Sequence, residues 1–185
     1  MFTNISMIQM LLILDHGRCS DIQKNQQTGK TRTVRAFVQA VQDLVRGKRG
    51  DEAADASCVL AAPTGCASFQ MKYGAATVHR VFGVPVGKFR VWKDRKNPRF
   101  VKIQKRLQRS RIFVFDEMSM IGRQMLGKIE FKVRDVLGNQ PQSDGSEVFF
   151  GGKGVVLAGD PKQATPVCDE PLYKEGSYKL SLIHI

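Results

Sequence analysis

The sequence predicts an α/β protein in which a parallel sheet lies between helices, and three observations lead there. Short apolar runs alternate with longer stretches of helical periodicity, the pattern of strands joined by crossover helices. Each of the clearest apolar runs stops at a group of polar residues, which puts those residues at the carboxyl ends of strands, where parallel sheets place their ligands. The chain of 185 residues is long enough for one domain that buries about two-thirds of its unfolded surface, and too short for two such domains.

The elements follow in order. The apolar run at residues 7–14 is well below the roughly 20 residues a membrane helix needs. It also lacks the basic start and small-residue cleavage site of a secretory signal. From Thr31 onward Val34, Phe37, Val38, Val41, Leu44 and Val45 recur at helical spacing, predicting an amphipathic helix closed by Gly47. Residues 57–62, stopped by Pro63, read as a buried strand, and a helix is expected from Thr64 to about Tyr73, with Gly74 as its stop. Residues 111–115 form a second expected strand ended by Asp116-Glu117, and residues 154–158 a third ended by Gly159-Asp160. Between these two, Met125, Ile129, Val133, Val136 and Leu137 mark a helix that runs to Gly138. Residues 139–152, rich in Gly, Ser and polar side chains, are expected to be a long surface loop. The last six residues, 180–185, are what one frame of a sequencing adapter encodes, and we expect them to be a foreign tail.

Charge adds a partner class. The chain has 29 Lys and Arg against 17 Asp and Glu, a net charge of +12, which favours a polyanion. Residues 88–111 hold eleven of the basic residues and one Asp, interleaved with Phe89, Trp92 and Phe100. Those rings are either stacking faces for bases or, in the alternative, part of a solvated helix that buries Phe100, Ile103 and Leu107. None of the four cysteines forms a Cys-x-x-Cys pair, and the three histidines stand apart, so a zinc or redox site is not expected and a reducing compartment fits.

Three polar groups carry the chemistry. Thr28-Gly29-Lys30-Thr31 opens the first helix as the second half of a phosphate-binding loop. Helix N–H groups favour phosphate there, a Lys reaches the β/γ-phosphates, and a Thr hydroxyl binds Mg²⁺. Lys24 stands where the pattern has its first Gly, and Asn25-Gln26-Gln27 replace the small residues of the loop. No strand is expected just before it. At the second strand end, Asp116 is suited to Mg²⁺ and Glu117 to orienting an attacking water, although Asp-Glu after a strand also reads as a solvated turn. After the third strand, the Gln163 amide can bond a γ-phosphate or its water.

Five segments in order resemble superfamily-1 DNA helicases, on the branch that contains the petite-integration-frequency (PIF) helicases and RecD. They are Thr28-Gly29-Lys30-Thr31, Ala62-Pro63-Thr64-Gly65-Cys66-Ala67, the stretch from Ala76-Thr77-Val78-His79 to Phe82-Gly83-Val84-Pro85, Phe115-Asp116-Glu117-Met118-Ser119-Met120, and Gly159-Asp160-Pro161-Lys162-Gln163 with its continuation to Val167. The resemblance implies a RecA-like P-loop NTPase domain. It assigns residues 1–26 to a segment without a match, residues 27–179 to a partial first motor domain, and residues 180–185 to the tail. It implies that ATP is bound by Thr28, Gly29, Lys30, Thr31, Asp116 and Gln163, and that Mg²⁺ is held by Thr31 and Asp116. Lys30, Glu117 and Gln163 would be catalytic, and Pro63, Thr64, Thr77 and His79 would contact DNA. The implied partners are single-stranded and duplex DNA and a second RecA-like domain of a longer parent, with no membrane partner.

By the same resemblance the parent couples ATP hydrolysis to unwinding in genome and telomere maintenance, DNA repair and recombination. It would act inside the cell, in the nucleus or alternatively the mitochondrion, while the 185-residue chain alone is expected to be inactive as a helicase. Two other readings are a different P-loop ATPase or kinase and a basic nucleic-acid-binding module without ATPase activity.

Overall fold

The computed structural model describes residues 29–138 and 148–173, together with the backbone of residues 10–14. Thr28, most of the segment 1–26, and residues 180–185 therefore lie outside the described residues, as does most of the expected loop 139–152.

Five strands, β1 (Met10–Leu14), β2 (Cys58–Ala62), β3 (Ala76–Thr77), β4 (Ile112–Phe115) and β5 (Gly154–Gly159), form one sheet in the order β1-β5-β4-β2-β3. Every pairing is parallel. The carboxyl ends of all five strands consequently share one edge, and the polar groups that follow β2, β4 and β5 meet there.

The helices are α1 (Lys30–Arg49), α2 (Asp51–Asp55), α3 (Gly65–Met71), α4 (Val78–Phe82), α5 (Pro98–Arg109) and α6 (Arg123–Leu137). They cover both faces of the sheet. Strand alternation sends Cys58, Leu60, Val114, Val156 and Ala158 into a core with Val34 and Val38 of α1 and Met71 of α3. It sends Val59, Ala61, Phe113, Phe115, Val155 and Leu157 into the larger core under α4, α5 and α6. On that second face Phe82 meets Phe113 edge-on at 5.4 Å and stacks on Phe115 at 5.5 Å.

Several expectations change in the folded chain. The run taken only as too short for a membrane contains β1, which pairs with β5 along its whole length from Met10↔Val155 to Leu14↔Gly159. A strand thus precedes the phosphate-binding segment, but not directly, with residues 15–27 between them. Gly47 does not close α1, which continues to Arg49, and Leu44 is exposed rather than part of the apolar face. The α3 helix starts at Gly65 because Thr64 is its N-cap, accepting from the Ala67 N–H at 3.2 Å, and it ends at Met71.

The described end of the expected surface loop is not all surface. Phe150 is buried, lying 6.3 Å from Phe113 and 6.5 Å from Phe115, so an apolar anchor pulls this part of the loop into the core.

Candidate nucleotide site at the carboxyl edge

Lys30, Val34 and Val38 are all buried and lie four residues apart on α1. The face that packs on the sheet therefore ends, at the amino terminus of the helix, in an ammonium group. On β4 the alternation that points Val114 toward α1 points Asp116 the same way. The two periodicities bring Lys30 and Asp116 together across 86 residues of sequence. Lys30 Nζ donates to Glu117 Oε1 at 2.8 Å and lies 3.8 Å from Asp116 Oδ1.

The acidic turn is fixed from several sides. The Asp116 N–H continues the β ladder by donating to the Ala61 carbonyl at 3.0 Å, and Asp116 Oδ1 accepts from the Glu117 N–H at 2.9 Å. Glu117 sits in the left-handed region (φ 53°, ψ 48°), a conformation that costs a non-glycine residue about 1–3 kcal/mol. It leads into a single 3₁₀ turn, Met118–Met120. Gly159 at the end of β5 lies against this turn so closely that a Cβ there would be 2.6 Å from Met118 Cγ and 2.7 Å from Met118 N.

Burial raises the Asp116 pKa above its ordinary 3.8, outweighing the Glu117 N–H and Lys30, which both lower it, while the neighbouring Glu117 charge adds to the rise. A buried carboxylate in that position is suited to an added positive charge. The start of α1 is suited to the opposite sign. Among the described residues no side chain caps its N-cap, Gly29, its first turn has no acidic residue, and no described atom lies within 4 Å of the place a Gly29 side chain would take. Thr31, the second residue of α1, is partly exposed. Oxygen donors from Thr31 and Asp116 are the ligand type a hard divalent cation takes, so the residues present fit Mg²⁺ and a polyphosphate.

The remaining expected site residues share the edge without being joined to this cluster. Gln163 is exposed in a turn where its N–H donates to the Asp160 carbonyl at 3.1 Å, while Asp160 Oδ1 accepts from the Lys162 N–H at 2.9 Å. No described contact links its amide to Lys30 or Glu117. Pro63 and Thr64 follow β2, and Thr77 and His79 lie at the β3–α4 junction, all four partly buried.

The aromatic residues of the basic stretch go elsewhere. Phe100 is buried with Ile103 and Leu107 on one face of α5, Trp92 meets Phe100 edge-on at 5.6 Å, and Phe89 meets Phe131 at 5.4 Å. Lys132 donates to the Arg90 carbonyl, with its ammonium 5.0 Å from the Phe89 ring centre and 5.3 Å from that of Trp92. Of the two alternatives left open by the sequence, the fold adopts the solvated helix, with Phe100 buried and Phe89 and Trp92 packed on other rings.

The sequence reading missed Asp169. Its carboxylate accepts from the Gln124 N–H at 3.1 Å and the Met125 N–H at 3.0 Å, capping α6 from outside the helix. The Glu170 carbonyl also accepts from the Arg123 N–H at 2.9 Å. An acid 45 residues beyond the first amide it caps has no capping signature in sequence.

A parallel sheet with a lysine-bearing helix start facing a strand-end acidic pair defines a RecA-like P-loop NTPase domain. The chain belongs to the PIF1-like helicase family, whose model matches residues 26–180.

Among solved structures it is similar to a Pif1 helicase from Candida albicans, with 24% identity over 76% of this chain and 28% of that one, at a TM-score of 0.55. It is also similar to a Pif1 helicase from Bacteroides in complex with ADP-AlF3 and ssDNA, with 30% identity over 75% of this chain and 27% of that one, at 0.50. A double mutant of the Bacteroides enzyme gives 29% identity over 75% of this chain and 27% of that one, at 0.52. The chain thus spans under a third of the length of these three chains. No curated protein matches it.

Proposed function

We propose that this chain is the first motor domain of a DNA helicase that couples ATP hydrolysis to unwinding. The observation that carries the proposal is the junction of Lys30, at the start of α1, with Asp116 and Glu117 at the end of β4. In this reading Lys30 exchanges its carboxylate partners for the β/γ-phosphates of ATP, with Thr28, Gly29 and Thr31 lining the phosphates. Thr31 and Asp116 would hold Mg²⁺, which when bound would neutralise phosphate charge. Glu117, released from Lys30, accepts the proton of the attacking water. Gln163 bonds the γ-phosphate or its water, and its exposed turn is free to move when that bond is lost.

Pro63, Thr64, Thr77 and His79 lie on the same edge and would contact the DNA strand, so nucleotide and DNA share one rim of the sheet. Support for this pairing comes from family membership and from the Bacteroides relative in complex with ADP-AlF3 and ssDNA. A second RecA-like domain of the parent completes the motor, and roles in telomere maintenance, repair and recombination, in the nucleus or the mitochondrion, belong to the same proposal. The departures at Lys24 to Gln27 favour one second reading, a domain that binds nucleic acid without hydrolysing ATP.

Titration of the purified chain with a fluorescent ATP analogue and Mg²⁺, in parallel with a labelled single-stranded oligonucleotide, tests these readings. Weak nucleotide binding that Lys30→Ala abolishes, with DNA binding retained, is expected. DNA binding with nucleotide affinity indifferent to Lys30→Ala would favour the second reading, and absence of DNA binding would overturn both.

A further inference from the structure

The stretch after β5 leaves the segment that carries Glu117 and returns to it just past the Met118–Met120 turn. It leaves at Gly159, which packs so closely on Met118 that a Cβ there would be 2.7 Å from the Met118 nitrogen. It returns at Asp169, on the amino end of α6. There Asp169 Oδ1 accepts from the Gln124 N–H at 3.1 Å and the Glu170 N–H at 2.8 Å, and Oδ2 accepts from the Met125 N–H at 3.0 Å. The Glu170 carbonyl accepts from the Arg123 N–H at 2.9 Å, the Arg123 guanidinium lies 3.3 Å from the Glu170 carboxylate, and Gly122 pairs with Pro171 in an antiparallel bridge.

This joint is built from both sides. Gly122, the N-cap of α6, has no side chain to offer the first helical N–H groups. A Cβ on it would lie 2.1 Å from Asp169 Cγ and 2.5 Å from Asp169 Cβ, and the carboxylate cannot swing clear without giving up the N–H groups on both its oxygens. Glycine at 122 and an acid at 169 therefore belong together. Cys168, in the left-handed region (φ 55°), turns the chain into the joint, and Leu172 and Tyr173 beyond it pack against the larger core. Between the two anchors lies the turn that carries Gln163, followed by a stretch in which residues 164, 165, 167 and 168 are exposed.

We propose that Asp169 is a positioning residue for Gln163. With Gly122 it fixes the far end of the arc on the segment that holds Glu117, so that the Gln163 turn and the acidic turn are kept in one register. The inference rests on the reading above in which Gln163 bonds the γ-phosphate or its water, and it adds two residues that none of the five motif segments contains. Asp169 acts through Gln163 and not on a reacting atom. An arc fixed at both ends samples fewer conformations than one held at β5 alone, so less freedom is lost when Gln163 meets its ligand. Movement of the arc once that bond is lost is confined in the same way to the residues between the anchors, while its ends stay at Met118 and Gly122.

The test is residue-resolved amide exchange of the 185-residue chain, comparing wild type with Asp169→Ala, Asp169→Asn and Gly122→Ala. Asp169→Ala should speed exchange at Gln124 and Met125 by about twofold to thirtyfold, the range of a lost helix cap, and should speed it at Lys162 and Gln163 as well. Gly122→Ala leaves the carboxylate in the chain but drives a Cβ into it, and should give the same change at Lys162 and Gln163. Asp169→Asn keeps one oxygen acceptor and should restore part of the protection. The Asp116 N–H, bonded in the β ladder, reports that the fold is intact in each variant. Lys162 and Gln163 exchanging as in wild type in both Asp169→Ala and Gly122→Ala, while Gln124 and Met125 speed up, would show a helix cap alone and overturn the proposal. A non-hydrolysable ATP analogue with Mg²⁺ supplies the second readout: at equal saturation it should slow exchange at Gln163 in wild type and slow it less in Asp169→Ala. Equal slowing in the two chains would also overturn the positioning role. An analogue that does not bind wild type, or that slows the first amides of α1 and not Gln163, would overturn the nucleotide reading first and this inference with it.

Discussion

Gly159→Ala is the substitution that most directly tests how the acidic turn is held. The added Cβ would be 2.6 Å from Met118 Cγ, 2.7 Å from Met118 N and 3.4 Å from the Glu117 carbonyl carbon. The Met118 side chain can rotate away, but its backbone nitrogen is held, because Asp116, two residues before it, is bonded to Ala61 in the β ladder. Relief therefore requires β5 or the turn to move by roughly half an ångström or more, and overpacking of this kind costs about 1–3 kcal/mol. For a chain of this size that lowers Tm by about 2–12 °C.

The same movement would disturb the turn that carries Glu117, the acceptor of the 2.8 Å bond from Lys30. Thermal unfolding followed by circular dichroism gives the stability change. The paired control is Gly47→Ala, at an exposed position inside α1 where a Cβ meets no atom within 4 Å, and it should stabilise by up to about 1 kcal/mol. A Gly159→Ala chain as stable as wild type, or a Gly47→Ala chain that loses as much, would refute the steric reasoning.

Two further outcomes are expected. Asp169→Ala removes two cap bonds from α6 and should cost about 1 kcal/mol, with faster hydrogen exchange at the Gln124 and Met125 amides and little change at Val133; unchanged exchange at the two capped amides would show that the cap carries no weight. Because the folded chain holds the Asp116 proton more tightly than the unfolded chain does, raising the pH from 3.8 through the raised folded-state pKa should destabilise wild type relative to Asp116→Asn. Urea midpoints of the two chains across that window measure the difference, and a gap that moves the other way would mean that Lys30 outweighs burial at this carboxylate.

The sequence by itself determined the parallel α/β class and the edge on which the polar groups gather, because both follow from local periodicity. Apolar runs of strand length, each stopped by polar residues, specify strand ends whichever strands become neighbours. Motif spacing likewise singled out Lys30, Asp116 and Glu117 before any contact between them was visible. It could not show that the fourfold spacing of Lys30, Val34 and Val38 and the twofold spacing of Val114 and Asp116 converge, since that depends on α1 lying across β4 and β5.

Tertiary structure also decided which apolar residues are shared out to which face of the sheet. Residues 112–115 are apolar throughout, and only packing separates Val114 from Phe113 and Phe115. The place of Met10–Leu14 beside β5, the burial of Phe150 and the enclosure of Lys132 by Phe89 and Trp92 were likewise decided by partners distant in sequence. The physical reason is the same in each case. Secondary-structure periodicity is written in neighbouring residues, whereas the choice between solvent and a nonlocal partner is made by the free energy of burial, and that exists only once the partner is in place.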